Sequence, residues 1–157
     1  MQPGARPAAS PQGLRLRAED AEDLAVLSAC LQDALVAVRD LAYDEGAGTF
    51  VAAANRFCWE GGGAGAAAPY ARTLCLIAFE GVTGVAYRGF QRREEERILS
   101  LLAIRATPVG AGTMIDLEFA GGATIRLLAA AIRCRARDFG ERWQTLRQPG
   151  HALDEVP

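Results

Sequence analysis

The sequence predicts an α+β domain: an N-terminal helix, about seven mostly antiparallel strands in a bent sheet or roll, and a C-terminal helix. Three observations predict it. Leu24, Leu27, Leu31 and Ala34 fall at helical spacing behind a strong start signal. From Leu35 to Leu127 the apolar residues change to a period of two, broken by glycine-rich turns. After the last such stretch, Ala129 to Ala131 leads into Ile132, Ala136, Phe139 and Trp143, again at helical spacing. A run of antiparallel strands closed by a packing helix makes an α+β domain.

The elements follow in order. Leu14 to Arg17 alternates and reads as a short strand or extended lead-in. Asp20 is a helix N-cap, with Glu22 and Asp23 where the helix dipole favours anions, so the helix is expected over Ala21 to Asp33. Val36 and Val38 share one strand parity and Leu41 and Tyr43 the other, which requires a bulge near Arg39-Asp40. Asp44 to Gly48 is a turn, Thr49 to Trp59 the returning strand, and Gly61 to Pro69 a glycine- and alanine-rich loop. Arg72 to Phe79 reads as a strand apolar on both faces, and Val82 to Phe90 as another. Gln91 to Arg97 is a charged connection, and Ile98 to Ile104 a central strand covered on both sides.

The last hairpin can be placed in register. A three-residue loop, Ala120-Gly121-Gly122, sets Leu117 opposite Ile125, Phe119 opposite Ala123 and Asp116 opposite Arg126. A two-residue loop would set Glu118 opposite Ile125 and mix the faces. The segment after Leu128 carries two patterns. As a strand, Ile132-Cys134-Ala136 alternates with Arg133-Arg135-Arg137; as a helix, Ile132, Ala136, Phe139 and Trp143 form the stripe and Gly140 offers a stop. The alanine run, the large residues on the stripe and that glycine favour the helix.

Length bounds the rest. The 157 residues suit one domain, expected over 14–143, with tails at 1–13 and 144–157. Met1 to Gly13 lacks the apolar core of a signal peptide, and no stretch approaches the roughly 18 apolar residues of a membrane span. All 17 basic residues are arginine, which excludes a Schiff-base lysine and a P-loop lysine. The net charge of −2 gives no global pull toward nucleic acid or an acidic membrane. Cys30, Cys58, Cys75 and Cys134 are widely spaced in apolar surroundings, as buried thiols of a reducing, cytoplasmic compartment would be.

Asp20 to Ser28 with Gln32-Asp33-Ala34, Asn55 to Glu60, Leu99 to Ile104, and Leu117 to Leu127 around Phe119-Ala120-Gly121-Gly122 occur in this order. Together they resemble a bacterial family, the domain of unknown function 2948, over Leu14 to Trp143. The resemblance implies a free-standing single domain and carries no activity, cofactor or site residue. It also implies acidic residues after the hairpin, where this chain has Leu128 to Ala131 and then Arg133, Arg135 and Arg137. Separately, the order of helix, strands and closing helix resembles the pleckstrin-homology-like roll.

Catalytic groups are scarce. The one histidine, His151, sits in the tail, so Ser-His, Cys-His and His-based zinc sites all lack their base or ligands. Asp33 with Asp40 and Asp116 with Glu118 are the carboxylate pairs; the second reads most simply as a solvated strand face. Gly61 to Gly65 resembles a phosphate loop in composition alone. No cofactor and no metal are expected.

Asn55-Arg56-Phe57-Cys58-Trp59-Glu60 mixes aromatic, basic and amide groups densely, and Trp and Arg dominate binding hot spots. Asn55, Arg56, Trp59 and Glu60 are therefore the candidate binding residues, against the simpler reading that the aromatics are core. Between Arg126 and Arg147 six arginines face Asp138 and Glu141, a basic strip without the aromatic platform of an RNA binder. The expected function is a non-catalytic binding or adaptor module whose partner is another protein. The alternative is a sensor or enzyme for a phosphate-bearing small molecule, using arginines and carboxylates. A membrane is not expected, nucleic acid is the weaker class, and a homo-oligomer stays open.

Overall fold

The computed structural model describes residues 13–58 and 70–145, with the backbone alone at 70 and 140–145. Residues 1–12, 59–69 and 146–157, His151 among them, lie outside the described residues.

The chain begins with β1 (Arg15–Ala18) and α1 (Ala21–Cys30). Asp20 caps the helix, its carboxylate accepting from the Asp23 N–H at 2.8 Å. The helix stops three residues short of the expected Asp33. Asp33 turns left-handed, at φ 67°, and gives its N–H to the Leu101 carbonyl at 2.7 Å instead. Next come β2 (Leu35–Asp44), β3 (Thr49–Phe57), β4 (Tyr70–Glu80), β5 (Val82–Arg88) and β6 (Ile98–Val109). The chain closes with β7 (Gly112–Phe119), β8 (Thr124–Ala129) and β9 (Cys134–Thr145).

The nine strands form one antiparallel sheet in the order β1-β9-β4-β3-β2-β6-β7-β8-β5. Laid flat, nine strands about 4.8 Å apart would put the outermost two roughly 38 Å from each other. A ten-residue helix, about 15 Å long, cannot cover that width. Yet Cys134 and Ala136 at one end, Ile125 and Leu127 at the other, and Leu24, Leu27 and Leu31 of α1 share one buried cluster. The two ends of the sheet therefore curl toward each other, with α1 filling the remaining opening. Two bonds tie the start of β5 to the β2–β3 hairpin: the Val82 N–H donates to the Gly48 carbonyl at 2.8 Å, and the Tyr43 hydroxyl to the Val82 carbonyl at 3.2 Å.

Several expectations hold at residue level. The β2 register shifts between Val36 and Leu41, so Val38 and Leu41 both point inward across the bulge. Leu117 pairs with Ile125, and Asp116 with Arg126 through two bonds of 2.8 and 3.0 Å. Gly121 takes the left-handed position of the three-residue loop, at φ 83°.

The predicted fold class is corrected. The described residues form a nine-stranded sheet with one α-helix, not about seven strands between an N-terminal and a C-terminal helix, and the pleckstrin-homology-like comparison falls with it. The stretch read as a short strand or extended lead-in is a strand, β1, paired with β9, whereas the segment read as the closing helix is β9 itself. Cys134 and Ala136 are buried while Arg135, Arg137 and Phe139 are exposed, a period of two. Helix propensity loses to hydrogen-bond pairing on both sides, with β4 and with β1. One other expectation fails. Of the strand thought covered on both faces, Leu99, Leu101 and Ile104 are buried, but Ile98 and Leu102 are about half exposed.

Candidate functional site

The residues that define the site start from a clasp inside the sheet. On β3, Arg56 has the inward parity of Ala52 and Ala54 and is fully buried. On β9, Asp138 has the inward parity of Cys134 and Ala136. They meet in a two-pronged ion pair: Nε donates to Oδ1 and Nη2 to Oδ2, each at 2.7 Å. A buried arginine needs such a partner, because an unpaired charge there costs several kcal/mol. The Asp138 carboxylate also accepts the Leu14 N–H at 2.6 Å, while the Asp138 N–H donates to the Leu14 carbonyl at 3.0 Å. Burial pushes the Asp138 carboxyl up, but these bonds outweigh it and hold the group below its ordinary value.

That clasp sets the alignment of β1 on β9. Since Leu14 and Asp138 form a bonded pair, alternation makes Leu16–Ala136 bonded and leaves Arg15–Arg137 and Arg17–Arg135 as non-bonded pairs. Non-bonded pairs bring Cα atoms to about 4.5 Å, closer than bonded ones. Four guanidinium side chains therefore crowd one patch of the outer face, arginine opposite arginine twice.

The patch is concave. A cleft of 620 Å³ lies over Arg15, Arg17, Arg135 and Arg137, floored by Leu76 and Ala78. A second, of 520 Å³, shares Arg17 and Arg135 and adds Arg133, Glu19 and Glu80. Glu80 is bonded to Arg135 at 2.7 Å, so one of the five arginines is neutralised by direct contact. Among the described residues Arg15, Arg17 and Arg137 have no carboxylate partner. A third cleft, of 340 Å³ between α1 and β6, is mostly apolar, and Ser28 there accepts the Ile104 N–H at 2.9 Å.

The sequence-predicted residues distribute as follows. Asn55 faces outward and is held by Arg72, whose Nε donates to its side-chain oxygen at 2.6 Å and Nη2 to its carbonyl at 3.0 Å. Burial lowers the Arg72 pKa. Arg56 is inside, in the clasp, on the opposite face of β3 from Asn55. Trp59 and Glu60 lie outside the described residues, as does the Gly61 to Gly65 loop. Asp116 and Glu118 do not form a carboxylate pair: Asp116 holds Arg126, and Glu118 holds Arg105 at 2.9 Å. The charged connection is tied down, Arg92 donating to the Tyr87 hydroxyl and the Leu41 carbonyl.

The cysteines are thiols; Cys58, Cys75 and Cys134 are buried and Cys30 partly so. Burial, then the neighbouring Asp138 charge, pushes Cys75 up to about 12, and burial does the same for Cys134. Both stay protonated and inert at neutral pH. Alkylation of the native protein at pH 8, read by peptide mass spectrometry, should modify Cys30 first and Cys75 and Cys134 on unfolding. Labelling of either buried thiol at the rate of a small-molecule thiol would contradict the geometry.

Among the described residues no group of three or more His, Cys, Asp or Glu is placed to hold a metal ion, and no helix is long and apolar enough to cross a membrane. What the geometry defines is an all-antiparallel sheet domain that presents an arginine-lined concave face built by its first and last strands. The chain belongs to the family described as protein of unknown function, DUF2948, whose sequence pattern matches residues 14–151. No curated protein and no solved structure matches the chain.

The sequence reading missed this face because Arg15 and Arg137 stand 122 positions apart. The signal was present: Leu14 to Arg17 and Cys134 to Arg137 each place arginine at every second position.

Proposed function

We propose that the chain is a non-catalytic binding module that takes an anionic partner on the arginine face of β1 and β9. The observation that carries this reading is the cross-strand register itself. Like charges directly opposite on a sheet destabilise it. Two such pairs side by side, with three guanidinium groups that have no carboxylate partner among the described residues, are relieved by an anion. The inert thiols and the carboxylates bound to arginines support a binding role over a catalytic one. The thiols support a reducing, cytoplasmic setting. In this reading Arg56 is a positioning residue, holding β1 in register from within.

A phosphate-bearing small molecule is the second reading, favoured by clefts of 620 and 520 Å³, within the range of ligand pockets. Tripolyphosphate serves as the probe for both readings. At about 100 times its Kd a ligand adds roughly 2.7 kcal/mol, which for a domain of this size raises Tm by about 5–10 °C. That rise should shrink with added salt and disappear in the folded double variant Arg17→Gln/Arg137→Gln. No rise for the wild type, or an equal rise for the variant, would refute the face.

A further inference from the structure

We infer that the anionic partner is an acidic segment in extended conformation that adds to the sheet alongside β1. This rests on the arginine face being the binding surface and names what it binds.

Three observations converge on the edge. β1 is the first strand in the sheet order, so among the described residues one of its sides has no strand neighbour. The bonded pairs toward β9 are Leu14, Leu16 and Ala18, so the N–H and C=O of Arg15 and Arg17 point the other way, to the open side. Those same two residues present their side chains on the outer face, in the row that continues to Arg137 and Arg135. An incoming antiparallel strand whose residues form bonded pairs with Arg15 and Arg17 would set the side chains of those residues on that face, opposite them. Alternate positions on a strand are about 6.6–6.8 Å apart on both chains. Carboxylates at every second residue would thus meet Arg15 and Arg17 one to one, with Arg137 and Arg135 behind.

A bare anion uses the guanidinium groups and leaves the two N–H and two C=O groups unanswered; an extended peptide uses both sets. A second copy of this chain is a poor occupant, since pairing β1 with β1 sets arginine against arginine. Charged, short edge strands also protect against indiscriminate pairing. Here the arginines extend onto β9, an interior strand, where edge protection gives them no purpose, and the one strand chemistry they admit is acidic.

The test uses the full chain and three fluorescent peptides with capped ends, at about 50 mM salt, where screening is weaker than at physiological strength. The parent is Ser-Glu-Thr-Glu-Thr-Glu-Ser. The second carries N-methyl groups on its glutamates, whose N–H groups would bond β1. The third carries them on its threonines, whose N–H groups would point away. Charge is identical in all three. The parent and the threonine-methylated peptide should bind, and the glutamate-methylated one should bind roughly tenfold or more weakly, as loss of backbone bonds implies.

Equal binding of all three would overturn strand addition and leave the anion face standing. Tripolyphosphate binding with no peptide binding would do the same and favour the small-molecule partner. Failure of peptides and tripolyphosphate together would overturn both.

Discussion

Replacing Arg56 with alanine should lower the unfolding free energy by about 3–5 kcal/mol, the usual cost of removing one partner from a buried ion pair. For a domain of this length that is a fall in Tm of about 6–20 °C. Asp138→Asn should behave similarly, because it removes the carboxylate charge from a two-pronged pair with a fully buried guanidinium and weakens the acceptor of the Leu14 N–H. The double replacement Arg56→Met/Asp138→Leu should recover much of the loss, since an apolar pair of similar volume avoids the desolvation of two ions. Recovery should remain incomplete, because the Leu14 N–H then lacks its acceptor.

The clasp also sets a pH dependence. The folded Asp138 carboxyl lies below its ordinary value near 3.8, so the unfolded chain takes up the proton first as pH falls. Its contribution is complete at neutral pH and is lost as pH falls from about 4 through the lower folded value. Denaturant titrations should therefore show the gap between wild type and Asp138→Asn closing in that acid range. A gap constant down to pH 2 would mean that the ion pair contributes nothing.

Local signals in the sequence located what local physics decides. Asp20 capped α1, the parity change from Val38 to Leu41 located the bulge, and Gly121-Gly122 with the apolar alternation fixed the β7–β8 register. What the sequence left hidden is long-range. The Ile132 to Trp143 stripe satisfies helical spacing, and nothing within it reveals that β4 offers one bonding edge and β1 another. Arg56 carries the composition of a contact residue, and its partner lies 82 positions away in the misread segment. Its parity with Ala52 and Ala54 pointed inward, and the alternation that would have buried Phe57 and Trp59 set it on the other face. Phe57 is in fact buried as well, with the Arg72 guanidinium over its ring, 5.9 Å from the centre. The arginine face was illegible for the same reason: half of it sits on β1 and half on β9.

Reversing one charge of that face separates a binding role from a structural one. Arg137→Glu places a carboxylate opposite Arg15 and beside Arg17 and Arg135, turning a like-charged pair into an opposite one. An opposite-charge pair across a sheet contributes roughly 0.2–1 kcal/mol, and the repulsion it replaces disappears with it. A carboxylate there also competes directly with any anion, so affinity for tripolyphosphate should fall on the order of tenfold or more. Residues kept for folding and residues kept for binding predict opposite signs here. Denaturation midpoint and tripolyphosphate affinity, measured on the same preparations of wild type and Arg137→Glu, decide between them. The account predicts a variant at least as stable as the wild type whose anion binding is lost; a less stable variant with unchanged binding would contradict it.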